Sequence, residues 1–280
     1  MKEKFALCLI GEDITSSPSR AMQEAALVAT GRDGQYDIVD VGPQHLPAVI
    51  RDLRAGRWRG ANVTMPYKYA LAAVCDELEG DAQRTGAVNT ITVTKDGRLL
   101  GDNTDAAGFE MGLSAKLLWP VPQSRALVVG SGGAAASVIL ALSRVPVVRT
   151  TVIARRINAA RTLVDRMSPG IDGELGVALW DEDYLERLLA TSDIIVNATS
   201  AGLADMPFTP PRLPRGCTVV DVRYRPRPVD LVVAATEAGL RACDGVEMLF
   251  HQGMLSFQRW TGDEPPYQVA HLALDEALVV

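Results

Sequence analysis

Short apolar segments alternate with amphipathic segments along most of the chain. In the first half, the apolar segments predict strands at residues 5–10, 36–41, 60–64 and 87–94. The amphipathic segments predict helices at residues 19–30, 46–55, 66–78 and 106–118. Pro66 would lie in the first turn of the third helix, where its missing N–H is tolerated. The alternation predicts βα units around a mostly parallel sheet, which is an α/β fold.

The alternation resumes after a proline-containing segment at residues 119–122, which indicates a boundary. The second half contains predicted strands at residues 126–129, 150–153, 193–197, 218–222 and 240–243. Predicted helices lie at residues 134–143 and 247–260. A hairpin turn is predicted earlier, at residues 95–98. Because the chain has 280 residues, we expect two domains.

Composition and charge exclude several classes of protein. Hydrophobic residues make up 48% of the chain and charged residues 22%, which excludes a disordered protein. The net charge is −6 and no long run of lysine or arginine is present, so general nucleic-acid binding is not expected. The apolar run at residues 5–10 is too short for a signal peptide or a membrane span. We therefore expect a soluble, cytoplasmic protein that does not bind membranes.

Cysteine and histidine spacing does not indicate a metal site. The three histidines match no metal-binding motif, and no two cysteines have CxxC spacing. We expect no metal and interpret the cysteines as buried free thiols. These cysteines are Cys8, Cys75, Cys217 and Cys243.

A glycine-rich turn follows the predicted strand at residues 126–129. Its motif, G-x-G-x-x-G/A, comprises Gly130, Ser131, Gly132, Gly133, Ala134 and Ala135. Gly130 permits a tight turn, Gly132 lets the backbone approach a pyrophosphate, and Ala135 lets the helix pack closely on the sheet. The motif predicts a dinucleotide site in a Rossmann-type doubly wound domain. The alternative is a tight turn without a ligand.

Two arginines, Arg155 and Arg156, follow the next predicted strand. NAD-binding proteins usually have Asp or Glu at this position, where it holds the ribose hydroxyls. A guanidinium suits a 2′-phosphate instead, so the sequence favours NADP over NAD. Arg156 alone could equally be a solvated surface charge.

Four polar clusters lie at the predicted ends of elements in the first half, where ligand-binding groups belong in an α/β protein. Each could instead be structural, as helix caps or turn residues. Together they supply hydroxyls, amides, one lysine and one aspartate, which suits a polyhydroxylated anion. The clusters are Ser16–Ser19, Asn62–Lys68, Gly86–Thr90 and Gly101–Asp105.

The first three clusters, a motif at residues 103–109 that overlaps the fourth, and four later motifs resemble the shikimate dehydrogenase family, which includes a quinate/shikimate branch. The resemblance implies a substrate domain at residues 1–104, completed by helices at residues 244–280, and a Rossmann NADP-binding domain at residues 105–243. The later motifs are Gly130–Ala134, Asn197–Gly202, Asp221–Pro226 and Asp244–Gln252.

The resemblance also implies residue roles. Ser17 and Ser19 match the pair that binds the substrate carboxylate, and Lys68 and Asp105 match the catalytic pair. The family positions for ring hydroxyls are occupied by Thr64, Asn89, Asp105 and Gln252. Tyr224 lies in the motif near substrate and nicotinamide. Cofactor contacts are implied for Gly130, Ser131, Gly132, Gly133, Ala134, Arg155, Arg156, Thr199 and the backbone of Gly245.

The implied activity is NADP-dependent interconversion of 3-dehydroshikimate and shikimate, a hydroxylated cyclohexene carboxylate, by a monomer or homodimer. Oxidising an alcohol by hydride transfer also requires removing a proton, for which Lys68 is the candidate. Arg20 and Gln23 replace the proline and histidine that the family often has, so Arg20 could meet the anionic substrate or face solvent. The alternatives are a quinate or aminoshikimate dehydrogenase using NAD or NADP, another lysine-using NADP oxidoreductase, and a non-catalytic dinucleotide sensor.

Overall fold

A computed structural model of the chain describes residues 5–118, 122–145, 147–179 and 182–279. The chain divides into two compact units. The first unit runs up to Thr104 and resumes at Phe250, and the second unit is the continuous stretch Asp105–Leu249. Residues 119–121 of the predicted boundary segment lie outside the described residues.

The first unit contains a six-stranded sheet of order β2-β1-β3-β5-β6-β4. Strand β5 is antiparallel to both β3 and β6, whereas the other pairs are parallel. The strands are β1 (Phe5–Gly11), β2 (Gly34–Asp40), β3 (Gly60–Val63), β4 (Glu77–Leu78), β5 (Thr90–Val93) and β6 (Leu99–Asp102). The helices before Thr104 are α1 (Ser19–Ala29), α2 (Leu46–Arg54), α3 (Lys68–Ala72) and α4 (Gly80–Thr85).

The second unit contains a six-stranded sheet in which every pair is parallel. Its strands are β7 (Arg125–Val129), β8 (Arg149–Ile153), β9 (Glu174–Ala178), β10 (Ile194–Asn197), β11 (Thr218–Asp221) and β12 (Arg241–Cys243). Their order, β9-β8-β7-β10-β11-β12, is the Rossmann order 3-2-1-4-5-6. The helices are α5 (Asp105–Ala115), α6 (Gly133–Leu142), α7 (Ile157–Met167), α8 (Glu182–Ala190) and α9 (Asp230–Glu237).

Two C-terminal helices, α10 (Val246–Thr261) and α11 (Tyr267–Val279), follow the second sheet. From Phe250 onward their residues belong to the first unit, where α11 packs against α1. The predicted α/β fold with a Rossmann-type doubly wound sheet is confirmed.

The continuous apolar runs of the second half are explained by burial on both faces of the sheet. Along β7, Ala126 and Val128 pack into one hydrophobic cluster, and Leu127 and Val129 pack into another. Because alternate side chains of a strand point to opposite faces, a sheet covered on both sides needs apolar residues at every position.

The predicted helix at residues 66–78 is wrong. Pro66 lies in a turn in which the Tyr67 N–H donates to the Thr64 carbonyl, and α3 ends after five residues, at Ala72. Asp76 then joins the start of β6, since its N–H donates to the Leu99 carbonyl and its carboxylate accepts from the Leu99 N–H. This long-range pairing makes residues 77–78 the edge strand β4, which helical periodicity does not reveal.

Candidate active site

The four polar clusters of the first half lie at one edge of the first sheet. Strands β1 and β3 are parallel and end at this edge, and β6 ends there as well. Strand β5 runs in the opposite direction and therefore begins there. The clusters follow β1, β3 and β6 or precede β5, so the topology brings residues that are distant in sequence to a common edge.

Ser17 lies in the loop after β1 and Ser19 is the first residue of α1, with their hydroxyl oxygens 3.2 Å apart. The structural alternative for these serines was a side-chain cap on α1, and the helix has no such cap. The residue at the cap position is Pro18, and no side-chain hydrogen bond caps the helix. The backbone N–H of Ser19 lies 3.4 Å from Ser17 Oγ, which holds the two residues together.

Asn89 and Gln252 are in direct contact, although 163 positions separate them. Asn89 Nδ2 donates to Gln252 Oε1 at 3.0 Å and to Thr104 Oγ1 at 2.9 Å. Asn89 Oδ1 accepts from the Thr104 backbone N–H at 2.8 Å. The predicted ring-hydroxyl residues next to β5 and on α10 thus form one hydrogen-bonded group, with Thr104 as a third member.

A further buried group lies beneath this pair, and the sequence reasoning assigned it no role. Ser256 Oγ is 2.7 Å from Thr90 Oγ1 and 2.9 Å from Asn62 Nδ2. Asn62 is inside β3, so it does not close a turn. Ser256 lies one helical turn after Gln252 on α10, and that i, i+4 spacing is the signal that could have identified it.

Lys68 is the first residue of α3 and is half-buried. Its backbone carbonyl accepts from the Val88 N–H at 3.0 Å, which fixes the start of α3 beside the segment that leads to Asn89. Thr64 begins the turn after β3, where its N–H donates to the Ile10 carbonyl. The edge therefore places a lysine and a threonine on the backbone segments that flank the Asn89 group.

Tyr67, next to Lys68, is a buried structural donor. Its hydroxyl donates to the Val41 carbonyl at 2.6 Å. Burial, together with the nearby carboxylates of Glu12 and Asp40, raises the pKa of Tyr67. The phenol therefore stays protonated at neutral pH, which leaves Lys68 as the candidate proton-exchanging side chain of this motif.

Asp105 begins the second unit as the first residue of α5, and its side chain is buried. It directly follows Thr104, whose N–H is bound by Asn89. A carboxylate in the first turn of a helix is favoured by the helix dipole.

The glycine-rich turn of the second unit has the conformation that its motif requires. Gly130 has φ +123°, and a Cβ there would lie 2.9 Å from the Ala198 carbonyl oxygen. Gly132 caps α6 with no side-chain hydrogen bond, and a Cβ at Gly132 would meet nothing within 4 Å. Ala135 is fully buried against the sheet. The N-terminus of α6 thus offers open backbone, which fits a pyrophosphate.

Thr199 and Gly245 lie at the same edge of the second sheet as this turn. Thr199 follows β10, and its methyl group is 2.9 Å from the position of a Cβ at Gly130. Gly245 lies between β12 and α10, where its N–H donates to the Arg223 carbonyl at 2.9 Å. A Cβ at Gly245 would collide with the Val222 carbonyl, so only glycine fits there.

A charged network holds the segments after β10 and β11. Arg223 binds Asp221 at 2.7 Å and Asp230 at 2.5 Å, and Asp221 accepts from Asn197 Nδ2 at 3.1 Å. Desolvation opposes ionisation of Asp230. However, hydrogen bonds from Arg223 and from the backbone N–H groups of Leu203 and Leu231 hold the pKa of Asp230 below its ordinary 3.8.

Arg155 and Arg156 lie at the end of β8, the second strand of the Rossmann order, and both are exposed. Among the described residues, no carboxylate forms an ion pair with either guanidinium. Both arginines are therefore available to an anionic ligand at this edge.

Tyr224 follows β11 by three positions and is half-buried.

The two departures from the family pattern occupy different environments. Arg20 is exposed, and its Nε donates to the Tyr36 carbonyl on β2 at 3.0 Å. Gln23 is fully buried, and its Nε2 donates to the Gly253 carbonyl at 2.8 Å. Gln23 therefore ties α1 to α10 next to Gln252.

The four cysteines are free, as predicted, but only Cys8 and Cys217 are fully buried. Burial raises the pKa of Cys243 to about 12 and that of Cys75 to about 11. Within the described ranges, no group of three His, Cys, Asp or Glu side chains could hold a metal ion. The same ranges contain no helix that is long and apolar enough to cross a membrane.

Two family models match the chain. The shikimate dehydrogenase substrate binding domain matches residues 9–91, and the shikimate 5'-dehydrogenase C-terminal domain matches residues 245–273. A shikimate dehydrogenase (NADP(+)) from Rubrobacter xylanophilus is 39% identical over 271 residues, which is 95% of this chain and 94% of the relative.

Solved structures of the same family superpose on nearly the whole chain. A shikimate 5-dehydrogenase from Thermus thermophilus, in complex with NADP(H) and shikimate, has a TM-score of 0.84 at 33% identity over 98% of this chain and 100% of that one. A quinate dehydrogenase from Corynebacterium glutamicum, in complex with NAD, has a TM-score of 0.86 at 30% identity over 98% and 99% of the two chains. The chain belongs to the shikimate dehydrogenase family.

Proposed function

We propose that this protein interconverts 3-dehydroshikimate and shikimate by hydride transfer with NADP(H). The observation that carries the proposal is the common edge of the first sheet. There, the Ser17–Ser19 pair, the Asn89–Gln252 pair and Lys68 come from segments that are distant in sequence. Hydroxyls, carboxamides and one amine at a single edge are the groups that a hydroxylated cyclohexene carboxylate requires.

In the proposed site, Ser17 and Ser19 donate hydrogen bonds to the substrate carboxylate. Thr64, Asn89 and Gln252 bind ring hydroxyls, and Tyr224 lies near the substrate and the nicotinamide. The 3.2 Å spacing of the two hydroxyl oxygens supports the serine assignment, because both can reach one carboxylate. The family membership of the chain supports the remaining assignments.

The proposed chemistry needs one proton and one hydride. When bound, the nicotinamide ring supplies or accepts the hydride. Lys68 takes the hydroxyl proton during oxidation of the alcohol and returns a proton to the ketone oxygen during reduction. Asp105 binds the reacting hydroxyl and stabilises the protonated lysine. Tyr67 does not compete for this role, since its hydroxyl is bound to the Val41 carbonyl.

The second unit is the proposed NADP-binding domain, and the first is the proposed substrate domain. The backbone from Gly130 to Ala134 would hold the pyrophosphate, with Thr199 and Gly245 contacting the rest of the cofactor. Arg155, together with Arg156, would hold the 2′-phosphate, because a guanidinium can donate two hydrogen bonds to it. The protein would work in the cytoplasm as a monomer or homodimer. Free cysteines are the norm in that compartment.

Absorbance at the nicotinamide band tests this function. The purified protein is incubated with shikimate, quinate or aminoshikimate, each with NADP⁺ and with NAD⁺. We expect the highest kcat/KM for shikimate with NADP⁺. Faster oxidation of quinate with NAD⁺ would instead place the protein with the quinate dehydrogenase that it resembles in structure. Cofactor binding without oxidation of any substrate would favour a dinucleotide sensor.

A further inference from the structure

Three buried hydroxyl groups surround the Asn89–Gln252 pair. They belong to Thr90 on β5, Thr104 after β6 and Ser256 on α10 and are called the hydroxyl cluster below. Their residues are between 0% and 5% exposed. The oxygen of Thr104 lies 3.4 Å from that of Thr90 and 3.2 Å from that of Ser256. Because these hydroxyls bond to Asn89, to Gln252 and to one another, we expect them to affect the substrate through Asn89 and Gln252.

The backbone determines the orientation of the Asn89 carboxamide. The Thr104 N–H can only donate, and the atom that it meets at 2.8 Å is Asn89 Oδ1. Thr90 Oγ1 donates to the same oxygen at 2.8 Å. The nitrogen of the carboxamide therefore points toward Gln252, and Asn89 Nδ2 donates to Gln252 Oε1 at 3.0 Å.

The hydroxyl cluster also holds the backbone of Gln252. The Gln252 carbonyl accepts from Thr104 Oγ1 at 3.0 Å and from Ser256 Oγ at 2.9 Å. A carbonyl can only accept, so each hydroxyl bonds to it as the donor. The backbone and the side chain of Gln252 are thus bound by the same group of residues.

Asn62 completes the arrangement from β3. Its Nδ2 donates to the Asn89 carbonyl at 3.1 Å and to Ser256 Oγ at 2.9 Å, and its Oδ1 accepts from the Tyr36 hydroxyl at 2.8 Å. The orientation of the Asn62 carboxamide follows from the Asn89 carbonyl, which can only accept. Buried networks with satisfied partners specify a single side-chain arrangement.

We propose that Thr104 and Ser256 are positioning residues that orient Gln252 for the substrate. This inference rests on the proposed function and explains how Gln252, one of the proposed substrate-binding residues, is held in place. Because Gln252 Oε1 accepts from Asn89, the carboxamide orientation is fixed, and Nε2 is the atom that can donate to a substrate oxygen. Asn89 thus fixes the orientation of the Gln252 carboxamide, and the Thr104 and Ser256 hydroxyls fix the backbone from which it extends.

A double-mutant cycle on kcat/KM for shikimate tests the coupling. Ser256→Ala removes the hydroxyl that bonds to the Gln252 carbonyl and to Asn62, and we expect it to lower kcat/KM about five- to tenfold, mainly through KM for shikimate. In a Gln252→Ala background the same substitution should change kcat/KM by less than about twofold, because the residue that it positions is absent. KM for NADP should stay as in the wild type throughout.

A second pair of variants separates positioning from folding. Thr104→Val removes the hydroxyl and should resemble Ser256→Ala, whereas Thr104→Ser retains it and should restore kcat/KM. The matched control is Ser192→Ala in the second unit, where the serine hydroxyl also donates to the carbonyl four residues earlier, that of Leu188. Ser192→Ala should leave KM for shikimate unchanged. Far-ultraviolet circular dichroism and melting temperature confirm that each variant folds.

The outcomes distinguish this inference from the proposed function. An equal loss from Ser256→Ala in both backgrounds, or a Thr104→Ser variant as impaired as Thr104→Val, would overturn the positioning role while leaving shikimate oxidation intact. A folded wild-type protein that oxidises no shikimate would overturn the proposed function and this inference together.

Discussion

Arg155 is the residue on which the choice between NADP and NAD is expected to depend. It follows the second strand of the Rossmann order, where an acidic residue would hold the ribose of NAD. Its side chain is exposed, and among the described residues it has no carboxylate partner. The Arg155→Ala substitution therefore removes the proposed contact to the 2′-phosphate without breaking an ion pair of the described part of the chain.

The exposure of Arg155 sets the size of the effect. A hydrogen bond to a charged group contributes about 1.5–3 kcal/mol when protected from water, and exposed charge pairs contribute less. We therefore expect a loss near the lower limit, about 1.5 kcal/mol, which is about a tenfold weaker affinity for NADP. Affinity for NAD should stay unchanged, since NAD lacks the phosphate. Fluorescence titration with each reduced cofactor and KM for each oxidised cofactor measure the two effects.

Arg161 on α7 provides the matched control. It is exposed and lies on the helix that follows Arg155, so Arg161→Ala removes the same charge from a nearby position. If both variants lose the same affinity for NADP, the effect is general electrostatic attraction and not a specific contact. An Arg155→Ala variant with wild-type affinity for NADP, or a wild-type protein that prefers NAD, would refute the reasoning.

Three further predictions concern the reaction, the substrate and stability. Lys68→Ala should lower kcat by about 10²–10⁴-fold with little change in KM; a folded variant with near-normal kcat would contradict the role of Lys68 in proton transfer. Ser17→Ala should raise KM for shikimate about tenfold, the effect of one hydrogen bond to a carboxylate, with a smaller change in kcat; an unchanged KM would argue against carboxylate binding. Because the pKa of Asp230 is lower in the folded protein than its ordinary 3.8, its stabilising contribution is complete above that pH and is lost as the pH falls below it. The melting temperatures of wild type and Asp230→Asn should therefore converge between about pH 5 and about pH 2, and a constant difference would show that the charge of Asp230 has no part in stability.

The sequence predicted the glycine-rich turn of the second unit and its flanking elements because their signals are local, whereas β9, α7, α8 and α9 were not predicted. A buried strand, a turn that needs Gly130 at positive φ and a helix that needs Ala135 against the sheet follow one another within a few residues. The strand after them leads to Arg155, at the position that distinguishes NAD from NADP in this fold. Each of these features can be recognised from neighbours in the chain, so the structure had little to add to their placement.

The first unit was less predictable because its decisive contacts are distant in sequence. Strand β4 exists because Asp76 pairs with Leu99, and this pairing overrides the helical pattern of residues 66–78. The contact between Asn89 and Gln252 spans 163 positions, and only the family resemblance suggested that both bind one ligand. Ser256 carried no motif, and its importance became clear from its hydrogen bonds.

The order of segments along the chain has a consequence for how the protein is made. The second unit is one continuous stretch and can fold as soon as Leu249 has been synthesised, whereas the first unit also needs α11 and most of α10, which are synthesised later. Joining Asn89 to Gln252 in an unfolded chain closes a loop of 163 residues, at an entropic cost of about 4.5 kcal/mol. Most of this loop is the second unit, so prior folding of that unit removes most of the conformational entropy that closing the loop would cost. We therefore expect the Rossmann unit to fold first on the ribosome, and the residues that would bind the substrate to assemble last.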